Sequence, residues 1–211
     1  RKAIVADFNK DGSPDIFVAC HGWDAEINGA WPGEPNVLLM NDGHGNFTVT
    51  NAGATDRNSD GAGFYHGASA ADVNGDGYPD VVLTDNFRTP GKNLTILINQ
   101  KTTPVTFAVD DTRISGQSAG PYFSVELFDA DKDGKIDIIA AGNEQPYGNA
   151  DTVILYGDGS GNFGARKTMI TALPGLSGPL DFTYIDKAVD ERVIMIHRQN
   201  AYVTQGIQTY N

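Results

Sequence analysis

The sequence has few of the features that hold a chain together covalently or place it in a membrane. Its single cysteine, Cys20, excludes an internal disulfide. No apolar run approaches 18 residues, so the sequence predicts no membrane-spanning helix. Basic residues are also scarce, with 15 Lys and Arg against 27 Asp and Glu, and the formal net charge is −12. This charge disfavours nucleic acid and anionic membranes as partners. The 211 residues are enough for one substantial soluble domain or two small ones.

Aspartate is abundant, and it follows a pattern that indicates a metal site. In Asp72-Val-Asn74-Gly-Asp76-Gly-Tyr78-Pro-Asp80, oxygen-bearing side chains occupy the first, third, fifth and ninth positions, and a glycine occupies the sixth. Such a loop turns its carboxylates inward around one hard cation, and the carbonyl of the seventh residue supplies a further oxygen. Ca²⁺ accepts six to eight oxygens in flexible geometry, whereas Mg²⁺ demands a strict octahedron, so the pattern predicts calcium.

The same pattern recurs at residues 7–15 and 129–137, and the three segments are called the acidic loops below. They predict three Ca²⁺ ions, which would bring the net charge from −12 to −6. Bound ions of this kind can replace disulfides as cross-links outside the cell, where free Ca²⁺ is plentiful. The predicted ligands are Asp7, Asn9, Asp11, Ser13, Asp15, Asp72, Asn74, Asp76, Tyr78, Asp80, Asp129, Asp131, Asp133, Lys135 and Asp137, with the seventh residue of each loop contributing its carbonyl.

An EF-hand is excluded by the residues around these loops. An EF-hand needs a bidentate glutamate at loop position twelve and a helix on each side. Position twelve is Val18, Leu83 or Ala140 in the three loops. The flanking segments are short apolar runs rich in β-branched residues, which are typical of strands. Each acidic loop is therefore predicted to connect two strands of a β-hairpin.

The loops mark an internal repeat. They begin at Asp7, Asp72 and Asp129, and the last interval, applied once more, ends at Asp186, where the glycine is missing and only Asp186 and Asp190 remain. We expect this fourth repeat to bind no metal. Each complete unit offers four short strands, A to D, in up-and-down order, which predicts an all-β propeller blade. A stack of hairpins or a sandwich is the alternative. The predicted blades span roughly residues 1–63, 64–119, 120–177 and 178–211, the last one incomplete.

Residues 64–83 carry a family resemblance. Their sequence, Phe-Tyr-His-Gly-Ala-Ser-Ala-Ala-Asp-Val-Asn-Gly-Asp-Gly-Tyr-Pro-Asp-Val-Val-Leu, resembles the FG-GAP or VCBS repeat of integrin α-subunit propellers and related bacterial and fungal proteins. The resemblance implies calcium-binding blades, usually seven to a propeller, in secreted or cell-surface adhesion proteins, lectins and some polysaccharide-degrading enzymes. About three and a half blades do not close a ring. We therefore expect further blades of the same protein, or a second chain, to complete it.

Candidate ligand residues converge on one face. A meander places the acidic A–B loops and the C–D turns on one face, called the acidic-loop face, and the remaining connections on the other, called the B–C/D–A face. The first B–C connection, residues 21–34, is extended and holds both tryptophans, which suits stacking on sugar rings. The alternative is that these tryptophans cap the blade core. The candidate ligand residues are His21, Trp23, Asp24, Glu26, Trp31, His66, Asn86 and Asn143.

Two functions of different class remain open from the sequence. The first is a non-catalytic module that binds carbohydrate or a protein partner on the B–C/D–A face. The second is a polysaccharide lyase, with His21, His66, Tyr65 and Arg88 as candidates for base, acid and uronate neutraliser. The sequence contains no Gly-x-Ser-x-Gly elbow and no His-Glu-x-x-His motif. We therefore favour binding over catalysis.

Overall fold

A computed structural model of the chain describes residues 2–22, 27, 33–50, 63–85, 93–117, 120–142, 150–171, 179–187, 191–198 and 206–210. For Ile170 and from residue 179 onward it describes the backbone alone. The described residues form strands, turns and one 3₁₀ turn at Asp111–Arg113. No helix in this part of the chain has the length and hydropathy needed to span a bilayer.

The strands form separate antiparallel sheets, one for each predicted unit. Apolar runs rich in valine, isoleucine and leucine form the strands, and aspartate- and glycine-rich turns separate them. Three sheets have four strands and the last has three, all in sequential order. The sheets are β1 (Lys2–Ala6), β2 (Asp15–Ala19), β3 (Val37–Asn41), β4 (Phe47–Thr50); β5 (Tyr65–Ala71), β6 (Asp80–Asp85), β7 (Leu94–Asn99), β8 (Phe107–Val109); β9 (Ser124–Phe128), β10 (Asp137–Gly142), β11 (Ala150–Gly157), β12 (Phe163–Ile170); and β13 (Pro179–Lys187), β14 (Glu191–Arg198), β15 (Gly206–Tyr210).

The sheets are arranged like the blades of a propeller. The first strands of successive units contact one another, β1 with β5, β5 with β9, and β9 with β13. A polar network joins three of these inner strands. The Ser69 hydroxyl donates to the Glu126 carboxylate at 3.0 Å, and Lys2 forms a 3.1 Å ion pair with the same carboxylate. The prediction of an all-β, propeller-like fold of four-stranded units is confirmed.

Apolar side chains fill the spaces between neighbouring sheets. The core between the first and second sheets contains Phe17 and Leu38 from one side and Val81, Leu97 and Phe107 from the other. The core between the second and third sheets is built in the same way, from Val82, Ile96, Ile138, Leu155 and Phe163 among others. The second and third sheets therefore have a neighbouring sheet on each face, which explains why β6, β7 and β10 are buried along their whole length.

The second residue of an acidic loop reaches into the next sheet. Phe8 is fully buried, and its ring packs edge-on against Phe107 of β8 at a centroid distance of 5.8 Å. Val73 takes the same place one unit later, in the core that contains Phe163 of β12. Phe47 of β4 is the corresponding residue of the first sheet, and its ring is 44% exposed.

Alanine substitutions at these equivalent phenylalanines test the packing. In the 211-residue chain, Phe107→Ala is expected to lower the free energy of unfolding by about 3 kcal/mol, because it leaves a cavity beside Phe8 and Phe17. Phe47→Ala is expected to cost less than about 1 kcal/mol, because its ring is exposed. Urea denaturation measures both changes, and equal losses would contradict the equivalence.

Candidate metal loops and an aromatic stack on the opposite face

The acidic loops share one hydrogen-bonding pattern, seen most simply at residues 72–80. The two carboxylate oxygens of Asp72 accept from the backbone N–H groups of Asp76 and Gly77, at 3.0 and 2.8 Å. Asn74 also accepts from the Asp76 N–H, and Asp76 accepts from the Tyr78 N–H. The loops at 7–15 and 129–137 repeat these four bonds. The side chains predicted to bind metal therefore also fold the loop that carries them.

The sixth position needs glycine because its backbone is left-handed. Gly12, Gly77 and Gly134 have φ values of 90°, 90° and 85°. A residue with a Cβ atom is strained in that region, whereas glycine is not. The glycine that identified the pattern in the sequence is therefore required by the turn.

The ninth aspartate joins each loop to the C–D side of its own sheet. Asp80 is fully buried and accepts from the Val73 N–H of the loop and from the Asn99 N–H at the end of β7. Asp15 makes the same pair of bonds, to Phe8 and Asn41, and Asp137 bonds to Ala130 and Gly157. A buried carboxylate between two backbone donors fixes the loop against the turn that follows strand C.

Burial separates the carboxylates of one loop into two kinds. Desolvation raises the pKa of Asp80 to about 6, and it also raises the pKa values of Asp15 and Asp137. The pKa of the fifth residue, Asp76, is shifted in the opposite direction. Burial alone would raise the pKa of Asp76, but the Tyr78 N–H and the Lys101 ammonium group outweigh it and lower the pKa.

The oxygen atoms of the acidic loops are suitable ligands for a hard cation. One oxygen from each of Asp129, Asp131 and Asp137 lies within 4.8 Å of the others, a spacing that one ion can span. The possible metal ligands in the described loops are carboxylate, amide, hydroxyl and carbonyl oxygens, and they include no thiol or imidazole. This set of ligands suits Ca²⁺ rather than Zn²⁺. Two lysine side chains pair with carboxylates of the loops. Lys135 of the third loop pairs with Asp133, and Lys101, outside the second loop, lies 3.2 Å from Asp76.

The B–C/D–A face carries a stack of rings from three units. His21 follows β2, and its imidazole stacks on His66 of β5 with centroids 4.2 Å apart and planes inclined by 16°. Phe64 contacts His21 at 4.0 Å, and Phe123, which precedes β9, contacts His66 at 4.3 Å. His21, His66 and Phe123 are partly exposed, whereas Phe64 is buried. These four residues are called the ring stack below.

The structure brings some of the predicted site residues together and gives one of them a different role. His21 and His66, which the sequence could not place relative to each other, are in direct contact. Tyr65 is fully buried in the core between the first two sheets, so its hydroxyl does not reach the surface. The remaining predicted ligand and catalytic residues lie outside the described residues: Trp23, Asp24, Glu26, Trp31, Asn86, Arg88 and Asn143.

Sequence reasoning missed two members of the ring stack. Phe123 lies six residues before Asp129, and His66 lies six residues before Asp72, so the repeat alone would have identified the equivalence. Phe64 gave no comparable signal, because nothing in a sequence distinguishes a ring buried beneath a surface site from any other core phenylalanine.

A pH dependence of stability follows from the ring stack. Burial, together with the neighbouring His21, lowers the pKa of His66 from 6.5 to about 3, so folding favours its neutral form. Between pH 3 and pH 6.5 the unfolded chain therefore binds more protons at this residue than the folded chain does. The stability that neutral His66 contributes to the fold is complete above pH 6.5 and is lost as the pH falls. Between pH 7.5 and pH 5.0 the loss is on the order of 2 kcal/mol.

The variant His66→Phe isolates this effect, because phenylalanine already occupies the equivalent position, Phe123, in the third unit. Urea denaturation at the two pH values is expected to show a smaller loss in the variant than in the wild type. The buried aspartates titrate in both proteins, and their contribution cancels in the comparison. The same loss in both would disprove the assigned role of His66.

The comparisons with known proteins agree with the repeat. The family model described as an FG-GAP-like repeat matches residues 7–83 and again residues 72–140, so that each match contains two acidic loops. A search of curated proteins found no significant match. FG-GAP repeats are in general binding modules of the extracellular type. Because the two matches together cover well over half of the chain, this protein belongs to the FG-GAP-like repeat family.

Proposed function

We propose that this chain is a secreted, calcium-stabilised adhesion or lectin-type module that binds carbohydrate on its B–C/D–A face. The observation that carries the proposal is the ring stack, which gathers partly exposed rings from three units at one end of the inner strands. Sugars bind where rings present a flat face to their C–H groups and nearby polar groups take their hydroxyls. Loops held by a rigid scaffold are also where binding residues tend to lie.

The loop from His21 to Glu34 begins directly at this stack. In the proposal, Trp23 and Trp31 extend the ring surface, and Asp24 and Glu26 accept hydrogen bonds from the ligand. Asn86 and Asn143 follow strand B in the second and third units, and we place them at the same rim. A protein partner is the other ligand class to be tested on this face.

The polysaccharide lyase is not favoured by the described geometry. An acid that protonates a leaving group must reach the substrate, and the side chain of Tyr65 is fully buried. His66 has a pKa of about 3, which makes its neutral form a weak base. Assays for elimination on uronic-acid polymers provide the direct test, and turnover that is lost in His21→Ala would support the enzyme instead.

Calcium binding by the three acidic loops is the structural half of the proposal. Ion binding would relieve the mutual repulsion of their carboxylates and stabilise the folded chain by about 2.7 kcal/mol per site at a calcium concentration 100 times the dissociation constant. The Lys101 ammonium opposes a cation at the second loop, since it lies 3.2 Å from Asp76. The second loop is therefore expected to bind calcium more weakly than it would without Lys101.

Native mass spectrometry and calorimetry of the chain are expected to show three bound Ca²⁺ ions, and chelation is expected to lower the melting temperature. Asp76→Ala should remove one ion, whereas Asp190→Ala, at the corresponding fifth position of the fourth repeat, should leave three. Lys101→Met should tighten binding a few-fold, as expected for removal of one partly exposed charge. An unchanged melting temperature after chelation would show that the ions are not structural.

Ligand binding is tested by glycan-array screening, followed by titration of the best glycan against single variants. Trp23→Ala and His21→Ala are each expected to weaken binding several-fold, because one ring contributes about 1 kcal/mol of stacking. Circular dichroism should show that these variants remain folded. Asp76→Ala is the contrasting variant, which should lower stability and binding together. If no glycan binds, carbohydrate is not the ligand of this face. If Trp23→Ala and Trp31→Ala both unfold the chain, the loop of residues 21–34 is a structural cap.

A further inference from the structure

The second acidic loop contains an Asn-Gly pair, Asn74-Gly75, at its third and fourth positions. In such a pair the backbone nitrogen of the second residue can attack the side-chain carboxamide of the first. Glycine shields this nitrogen least, because it has no side chain. Gly75 is exposed and Asn74 is partly exposed. The other Asn-Gly pair of the sequence, Asn28-Gly29, lies outside the described residues.

The fold of the loop favours this attack. The Asp76 N–H donates to the Asn74 Oδ1 at 3.0 Å, an Asx turn that folds the carboxamide back towards the backbone of Gly75. Negative charge develops on this oxygen when a nitrogen adds to the carboxamide carbon. A backbone donor that is already directed at the oxygen stabilises this charge.

The first loop has the same geometry with a different fourth residue. The Asp11 N–H donates to the Asn9 Oδ1 at 3.0 Å, and the burial of Asn9 and Lys10 matches that of Asn74 and Gly75. The fourth position is left-handed in both loops, with φ values of 60° at Lys10 and 73° at Gly75. The two loops therefore differ mainly in the side chain that shields the attacking nitrogen.

We propose that Asn74 is a site of spontaneous deamidation in the folded chain. The Gly75 nitrogen loses its proton to water and bonds to the Asn74 Cγ, and the carboxamide nitrogen leaves as ammonia. Water then opens the resulting five-membered imide. Breaking the new bond to Cγ gives aspartate with the original backbone. Breaking the original peptide bond gives isoaspartate, whose main chain passes through Cβ and Cγ. The overall reaction consumes one water and releases one ammonia.

The two products differ in their effect on the loop. Aspartate at this position reproduces the third loop, which has Asp131 there, so the fold of the loop is kept. Isoaspartate adds a main-chain atom between Asp72 and Asp76, whose hydrogen bond closes the loop. The loop has little room to expand, because a Cβ atom placed on Gly161 of the third sheet's C–D turn would lie 3.3 Å from the Asn74 Cβ. Isoaspartate therefore weakens the loop and its contact with the third unit.

Peptide mapping of the folded chain, incubated at mildly alkaline pH without added calcium, measures the conversion. Deamidation at Asn74 is expected to be several-fold faster than at Asn9, and enzymatic methylation of isoaspartate should label the peptide that contains residue 74. Equal rates at the two asparagines, or conversion of Asn74 only after unfolding in urea, would overturn the proposal.

A reciprocal exchange of the fourth residues tests the cause. Gly75→Lys should protect Asn74, and Lys10→Gly should make Asn9 the faster site. The backbone accepts lysine here, since Lys10 and Lys132 already have positive φ values. A Cβ atom on residue 75 would also lie 3.6 Å from the Gly159 carbonyl oxygen, an ordinary contact. Circular dichroism verifies folding, and unchanged rates in the folded variants would contradict the assigned mechanism.

The variant Asn74→Asp separates the two products, because it carries the added charge without the longer backbone. The deamidated chain is expected to have a lower melting temperature than Asn74→Asp. An equal decrease in both would assign the loss to the charge and overturn the effect of isoaspartate. None of these measurements depends on calcium or glycan binding, so the proposal and the proposed function are tested separately.

Discussion

A buried carboxylate held between two backbone N–H groups organises every complete unit of this chain. The ninth aspartate of each acidic loop binds one donor in the loop and one at the end of strand C, so a single side chain joins two connections that are far apart in sequence. Asp15, Asp80 and Asp137 are all nearly or fully buried. An unpaired charge in such a position would be costly, whereas a paired one defines a unique arrangement.

The ninth aspartate of each loop also influences how neighbouring units pack. Phe8 in the first unit and Val73 in the second donate their backbone N–H groups to the ninth aspartate. The side chains of the same two residues pack against the next sheet. Folding of a loop and packing between sheets are therefore coupled through one residue. On the other side of the loop, Arg113 donates to the Ser160 carbonyl across the boundary between the second and third units. An ion that stiffens the loop would accordingly stabilise the contact between units as well as the hairpin.

The two faces of the molecule differ in how closely their structure repeats from one unit to the next. The acidic-loop face is built from a repeated network of hydrogen bonds, which the first, third, fifth and ninth side chains of each loop accept. The B–C/D–A face has unequal loops, and its repeated position holds His66 in one unit and Phe123 in another. Variation on a constant scaffold is the arrangement in which binding sites are usually found. The ring stack lies at the point where the constant strands meet the variable loops.

The repeat, the strand–loop–strand pattern and the oxygen-rich composition of the loops could all be predicted from the sequence alone. These features are local: the alternation of aspartates and the left-handed glycine act within nine residues, and strand periodicity acts within one hairpin. The family assignment depends on the same short segments, which is why Phe64 to Leu83 were enough to indicate it.

Contacts between residues of different units could not be predicted from the sequence. His21 contacts His66, 45 residues away, and Asn99 donates to the carbonyl of Phe8, 91 residues away. The burial of Tyr65 likewise depends on the packing of one sheet against another. Such contacts depend on how one sheet is stacked on the next, and no short-range pattern specifies that. The same reason explains the exposure of two valines in the first sheet. Val5 and Val49 lie in apolar strands but are 64% and 62% exposed, because none of the described sheets packs against that face.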